Sequence, residues 1–154
     1  TPSGNATEID LVAEQTVMPN LCSTGPSEAA MIAASRNYYD GSTTLGQLTG
    51  AGNQTRTDQL AGSTNRIWRT VATAGYDQHS RTTSTTDTLG RTTTTSYSPA
   101  SNKAPTTITV TSADPDGAGP GPSQVTTTTM DPRRGLATKT VAPAGQTSAH
   151  PPHA

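Results

Sequence analysis

The side chains of this 154-residue chain that could do chemistry are few: scattered carboxylates, three histidines, one cysteine and a handful of aromatic rings. Asp77 and Asp87 form a regularly spaced carboxylate pair, the equipment of acid/base hydrolysis. Each, however, opens a stretch of turn residues that needs an Asp for its own geometry. His150 and His153 share the tail at a spacing of three, but no third ligand lies near them, so they read as solvated. Asp114-Pro115-Asp116-Gly117 begins like a calcium loop without the further oxygen ligands or the closing Glu, and reads as a turn. Cys22 stands alone, which excludes an internal disulfide framework and a cysteine zinc cluster. Asn5-Ala6-Thr7 and Asn53-Gln54-Thr55 fit a glycosylation acceptor pattern that also arises by chance. Trp68, Tyr76 and Tyr97 could stack on a sugar, yet in a chain this poor in apolar residues they read first as packing anchors. There is no Gly-x-Ser-x-Gly elbow, phosphate loop or dinucleotide fingerprint. No catalytic, cofactor-binding or metal site is expected.

The composition says what kind of scaffold could position these residues. Only 29% of the chain is hydrophobic, Phe is absent, and Thr makes up about a fifth of it. Such a pool usually signals disorder, but the accompanying large net charge is missing, the formal value being −1. Thr is β-branched and favours extended backbone, so the chain reads as a weak β-former. Sparse Lys and Arg argue against nucleic acid or an anionic membrane as a partner. No apolar run approaches the length of a membrane-spanning helix. No signal peptide is visible, and the sequence begins at Thr1 rather than Met.

Along the chain, Ile9, Leu11 and Val12 half-alternate with charged residues like an edge strand. Residues 27–34 are the helix-prone stretch, too short to be stable alone. Tyr38 to Gly62 is rich in Gly, Thr, Asn and Gln and is expected to be loop. Arg66 to Thr73 is the most convincing strand, with Ile67, Arg69 and Val71 on one face and Trp68 and Thr70 on the other. Further strands are expected at residues 106–111, 125–130 and 136–141. A Gly/Pro-rich loop should occupy residues 114–122, and Asp131-Pro132-Arg133-Arg134-Gly135 should form a turn. The tail from Pro143 has no apolar period and is expected to be disordered.

The most informative region runs from Tyr76 to Tyr97. Asp77 and Asp87 repeat at the same interval as Arg81 and Arg91. In each unit the Asp side chain can accept hydrogen bonds from backbone N–H groups two residues on. The residue three after it must take a left-handed conformation to close a type I turn with a bulge. Gly90 suits that place; Ser80 must adopt it at a cost of about 1 kcal/mol. Arg then opens a strand of ordinary length. The result is an antiparallel β-meander.

Tyr-Asp-x-x-Gly-Arg followed by a Thr-rich strand and a second Asp-x-x-Gly-Arg resembles the YD repeat of RHS-repeat proteins, in the form common among actinobacterial members. The motif residues are Tyr76, Asp77, Arg81, Asp87, Gly90, Arg91 and Tyr97. Tyr39-Asp40-Gly41 with Leu45-Gly46, and Asp131 to Leu136 with Pro143-x-Gly145, are similar to stretches flanking such repeats. The sequence departs from the pattern at Ser80, at Thr86 in place of an aromatic residue, and in residues 81–86, which lack Leu and Val. The family's C-terminal core with its self-cleaving aspartates is not recognisable.

The resemblance implies an all-β fold of antiparallel hairpins with long loops, in three parts. Residues 1–62 form a loop-rich segment with a short strand, 63–147 a YD-repeat-like ribbon, and 148–154 a disordered tail. It also implies a structural, non-catalytic role in a larger exported protein, secreted or at the cell surface, whose repeats curl into a shell. Its partners would be neighbouring repeats of the same polypeptide and an enclosed C-terminal toxin domain. The competing expectation is an extended, Thr-rich surface stalk that engages carbohydrate through its aromatic residues.

Overall fold

The computed structural model describes residues 11–19, 31–62, 66–113 and 123–149. The protein is all-β, with no helix among the described residues. Its contacts divide the chain into two compact units, Thr1–Thr73 and Ala74–Ala154.

The first unit carries β1 (Glu14–Val17), β2 (Ala33–Tyr39) and β3 (Gln54–Gly62), together with most of β4 (Ile67–Tyr76), which crosses the division. These strands pair antiparallel in chain order. Two expectations are corrected here. Leu11 and Val12 precede β1 rather than forming an edge strand, Ile9 lying outside the described residues, and Gln54–Gly62, expected to be loop, is a nine-residue strand. Its Asp is a poor strand former in isolation, but the Thr70 hydroxyl bonded to Asp58 from β4 and the Arg56 guanidinium over Tyr38 of β2 hold the strand, a tertiary term that local propensity does not contain. Of the helix-prone stretch, the described residues 33 and 34 open β2, and residues 27–30 lie outside the described part.

In β4 the alternation is broken by a bulge. Thr57 faces Ala72 and Asp58 faces Thr70, so Val71 is the extra residue. Trp68 is half-buried whereas Ile67 is 52% exposed, which turns the Trp68 face inward.

The second unit carries β5 (Thr82–Asp87), β6 (Thr92–Ser98), β7 (Thr107–Ser112), β8 (Gln124–Asp131), β9 (Leu136–Val141) and β10 (Thr147–Ala149). They form an antiparallel meander in chain order. Residues 143–149, expected to be disordered, belong to a turn and strand β10. The turn is closed by Ala142 and Gln146 main-chain bonding, and Gly145 takes φ 73°. Backbone pairing is blind to the missing apolar period that suggested disorder. Residues 114–122 and 150–154 lie outside the described part.

Within β6 burial alternates: Thr93, Thr95 and Tyr97 are half-buried while Thr92, Thr94, Ser96 and Ser98 are exposed. Threonines face one another across the strands, as at Thr94 and Thr111. Thr86 and Thr92 join their hydroxyls at 2.8 Å. Such cross-strand pairs are the elementary unit of sheet stabilisation. The buried residues among those described are Met31, Ala34, Tyr38, Tyr39 and Asp58, all in the first unit. What core there is gathers around β2.

Candidate functional site

The repeated motif folds as two copies of one small machine. In the first, Asp77 Oδ1 accepts the backbone N–H of His79 at 2.8 Å and of Arg81 at 3.0 Å, and Oδ2 accepts Arg81 Nε at 2.7 Å. In the second, Asp87 Oδ1 accepts the N–H of Leu89 at 2.9 Å and of Arg91 at 3.0 Å, and Oδ2 accepts Arg91 Nε at 2.7 Å. The main chain repeats as faithfully. Ser80 N–H donates to Asp77 carbonyl and Gly90 N–H to Asp87 carbonyl, both at 3.0 Å. Asp77 N–H donates to Arg81 carbonyl at 3.0 Å and Asp87 N–H to Arg91 carbonyl at 3.1 Å. Ser80 and Gly90 take φ 59° and 77°, the left-handed values their place requires. Ala142 to Gln146 has the same two main-chain bonds with Ala at the Asp position. The Asp131 turn is one residue longer, closing on Gly135 at φ 67°, while Asp131 Oδ1 accepts the N–H of Arg133.

Arg81 does more than close its turn. Its guanidinium lies 4.6 Å from the centre of the Tyr97 ring, and its Nη2 donates to the Ala100 carbonyl at 3.1 Å. Tyr97 in turn donates its hydroxyl to the Thr82 carbonyl at 3.0 Å. Asp77, Arg81 and Tyr97 thus form one chain of contacts that ties the turn to β6. Tyr76 ends β4, half-buried, immediately before Asp77.

Electrostatics follows from this geometry. For Asp77, partial desolvation raises the pKa, but the Arg81 backbone and side-chain bonds, the His79 N–H and the Arg81 charge outweigh it and leave it below the ordinary 3.8. For Asp87, the Arg91 side-chain bond is the largest influence and the pKa is lowered as well. Both carboxylates are therefore ionised and committed to bonds. The six-residue β5 lies between them, which at about 3.3 Å per residue places them roughly 20 Å apart. Glycosidase carboxylates stand about 5–10 Å apart, so these two cannot act on one bond.

Sequence reasoning missed a second cluster, in the first unit. Glu14, Arg36, Asp58 and Thr70 face one another in a row across β1 to β4. Arg36 Nε meets Glu14 Oε2 at 3.1 Å, and its guanidinium lies 3.9 Å over the Trp68 ring. Buried Asp58 meets Arg56 Nη2 at 3.2 Å and accepts Thr70 Oγ1 at 2.8 Å, and Arg56 covers Tyr38 at 3.7 Å. Cation–π stacking of this kind strengthens as the pair loses water. A period-two reading of residues 54–60 puts Arg56 and Asp58 on one face. That was the available signal, hidden by the loop-like composition around it.

No family model matches the chain, and no curated protein matches it. Among the described residues no three His, Cys, Asp or Glu side chains gather as a metal site. No described helix is long and apolar enough to cross a membrane. Cys22, Asn5, Asp114, His150 and His153 lie outside the described residues. Open clefts flank the two turns, of about 180 Å³ beside Asp87 and Arg91 and about 450 Å³ beside Asp77, Arg81 and Tyr97. Their charged groups are those already joined in the turns, and strand threonines such as Thr85, Thr93, Thr83 and Thr95 supply other lining. The arrangement can fix strand register at the two turns.

Proposed function

We propose that this chain is a structural, non-catalytic segment of a larger exported RHS-type protein, its hairpins contributing strands to a β shell that encloses a toxin domain. The observation that carries this reading is the bond-for-bond identity of the turns at Asp77–Arg81 and Asp87–Arg91. Two successive turns built to one plan are what a repeat architecture requires, and each repeat then leans on neighbouring repeats of the same polypeptide. The rings argue in the same direction. A sugar-binding stalk needs aromatic faces open to ligand, whereas Arg36 covers a face of Trp68 and Arg81 a face of Tyr97.

Hydrogen exchange on the chain provides the test. Slow exchange through β5 and β6, including the turn-closing amides of Ser80 and Gly90, is the expected result. Uniformly fast exchange from Arg66 to Tyr97 would favour the extended, carbohydrate-engaging stalk instead. Electron microscopy of the polypeptide carrying the adjacent repeats should then reveal hollow particles rather than rods.

A further inference from the structure

The segment from Asp40 to Asn53 leaves β2 and returns to β3 with its ends joined, Asp40 N–H donating to Asn53 carbonyl at 2.7 Å. It is a compact loop of the Ω kind. At its centre lies a single carboxylate. Asp40 Oδ2 accepts the backbone N–H of Gly50 at 2.9 Å, Gly52 at 3.1 Å and Thr49 at 3.3 Å, while Oδ1 accepts that of Asn53 at 2.9 Å. Asp40 holds φ 53° to reach them, a left-handed conformation uncommon outside Gly, although Asp and Asn tolerate it best. The approach is close. A Cβ on Gly50 would stand 3.3 Å from the Asp40 carboxyl carbon.

Successive backbone N–H groups converging on one point make an anion-binding concavity, the device that holds phosphate in other folds. We propose that the amides of Thr49, Gly50, Gly52 and Asn53 constitute an oxyanion site whose resident ligand is the chain's own Asp40 carboxylate. The loop's order is then a binding reaction between tethered ligand and receptor, and the site accepts any small carboxylate once the tethered one is removed. The direction of the Asp40 pKa agrees. Partial desolvation raises it, and the four amide bonds, from Asn53, Gly52, Gly50 and Thr49, together outweigh that and lower it below 3.8.

The experiment is chemical rescue of Asp40→Gly, a substitution that removes the carboxylate and is at home at positive φ. Amide exchange at Thr49, Gly50, Gly52 and Asn53 is followed by NMR with sodium formate, and with sodium chloride at equal ionic strength. The expected result is loss of protection at the four amides, saturable recovery with formate, and none with chloride. Wild-type protein should not respond to formate. Protection that survives in Asp40→Gly, or recovery equal in both salts, overturns the proposal. Should Asp40→Gly fail to fold, Asp40→Asn carries the test. It places an N–H2 where one carboxylate oxygen stood, so the amides on one oxygen must lose protection, and retention of all four refutes the site.

Discussion

Gly90 offers a clean measurement of what the repeat turn demands. Its φ is 77°, and a Cβ built there meets nothing within 4 Å. Steric conflict with neighbours is thus removed from the problem, leaving only the intrinsic cost of a side chain in the left-handed region. That cost is about 1–2 kcal/mol for an ordinary L-residue and higher for a β-branched one. Ser80 shows that the same turn forms with a side chain present, so Gly90 substitutions should damage the ribbon without abolishing it. In the series Gly90→Asn, Gly90→Ala and Gly90→Val, Asn should be nearly neutral, Ala should lose about 1 kcal/mol, and Val should lose the most. Each kcal/mol corresponds to a melting shift of about 2–4 °C for a chain of this size. The reciprocal change, Ser80→Gly, relieves the penalty but gives the unfolded chain about 0.4–1 kcal/mol of extra freedom, so a small net gain is expected. Denaturant melts supply the ranking, and exchange at the Gly90 amide locates the damage in the turn. A neutral Gly90→Val, or an Asn variant as damaged as Val, would refute the assignment of turn geometry to stability.

Acid should act on the same turns. The folded pKa values of Asp77 and Asp87 lie below the ordinary carboxylate value, so their contribution is fully present above about pH 4 and is lost as pH falls through the depressed folded values; carboxyl titration by NMR should show both groups titrating late. Asp58→Ala should cost about 1–3 kcal/mol in a denaturant melt, because it leaves Arg56 and the Thr70 hydroxyl without their buried acceptor. Tyr97→Phe keeps the ring beneath Arg81 but deletes the bond to Thr82, at about 0.5–1.5 kcal/mol, whereas Tyr97→Leu should lose the stack as well. Calorimetry should find the chain only marginally stable beside a polypeptide that adds adjacent repeats; a sharp transition above about 60 °C for the chain alone would count against that.

What could be read from the sequence was the local chemistry. The Asp turns were legible because position, partner and conformation all lie within five residues: an acceptor, two amides, a left-handed residue and an Arg. The left-handed Ser80 followed from the register of the repeat alone. The Thr-rich strands were legible because β-branched runs have one favourable backbone. The β3 strand was not, since its stabilising contacts, Arg56 over Tyr38 and Asp58 with Thr70, lie on the neighbouring strands and are visible only after pairing. The four-amide grip on Asp40 was hidden for the same reason. Its donors are nine to thirteen residues away, and a loop rich in Gly and Thr has no period to announce that its amides converge.

The two units also differ in how they solve the shortage of apolar side chains. The first supplements its small core with layered charge: Arg guanidinium groups lie over Trp68 and Tyr38, with Glu14 and Asp58 neutralising them. Arg suits this because its planar, weakly hydrated head stacks where an ammonium would not. The second unit has one such stack among the described residues, at Arg81 and Tyr97, and its strands are rich in threonine with a few aliphatic residues such as Ile108 and Val110. A buried methyl contributes only about 0.8 kcal/mol, against about 1–2 kcal/mol to order one residue's backbone. A Thr-lined sheet of this kind gains little from its own faces and much from pairing and capping its strands, and its polar turns hold register while adding little cohesion. On the function proposed above, neighbouring repeats would supply the pairing and capping that these strands lack.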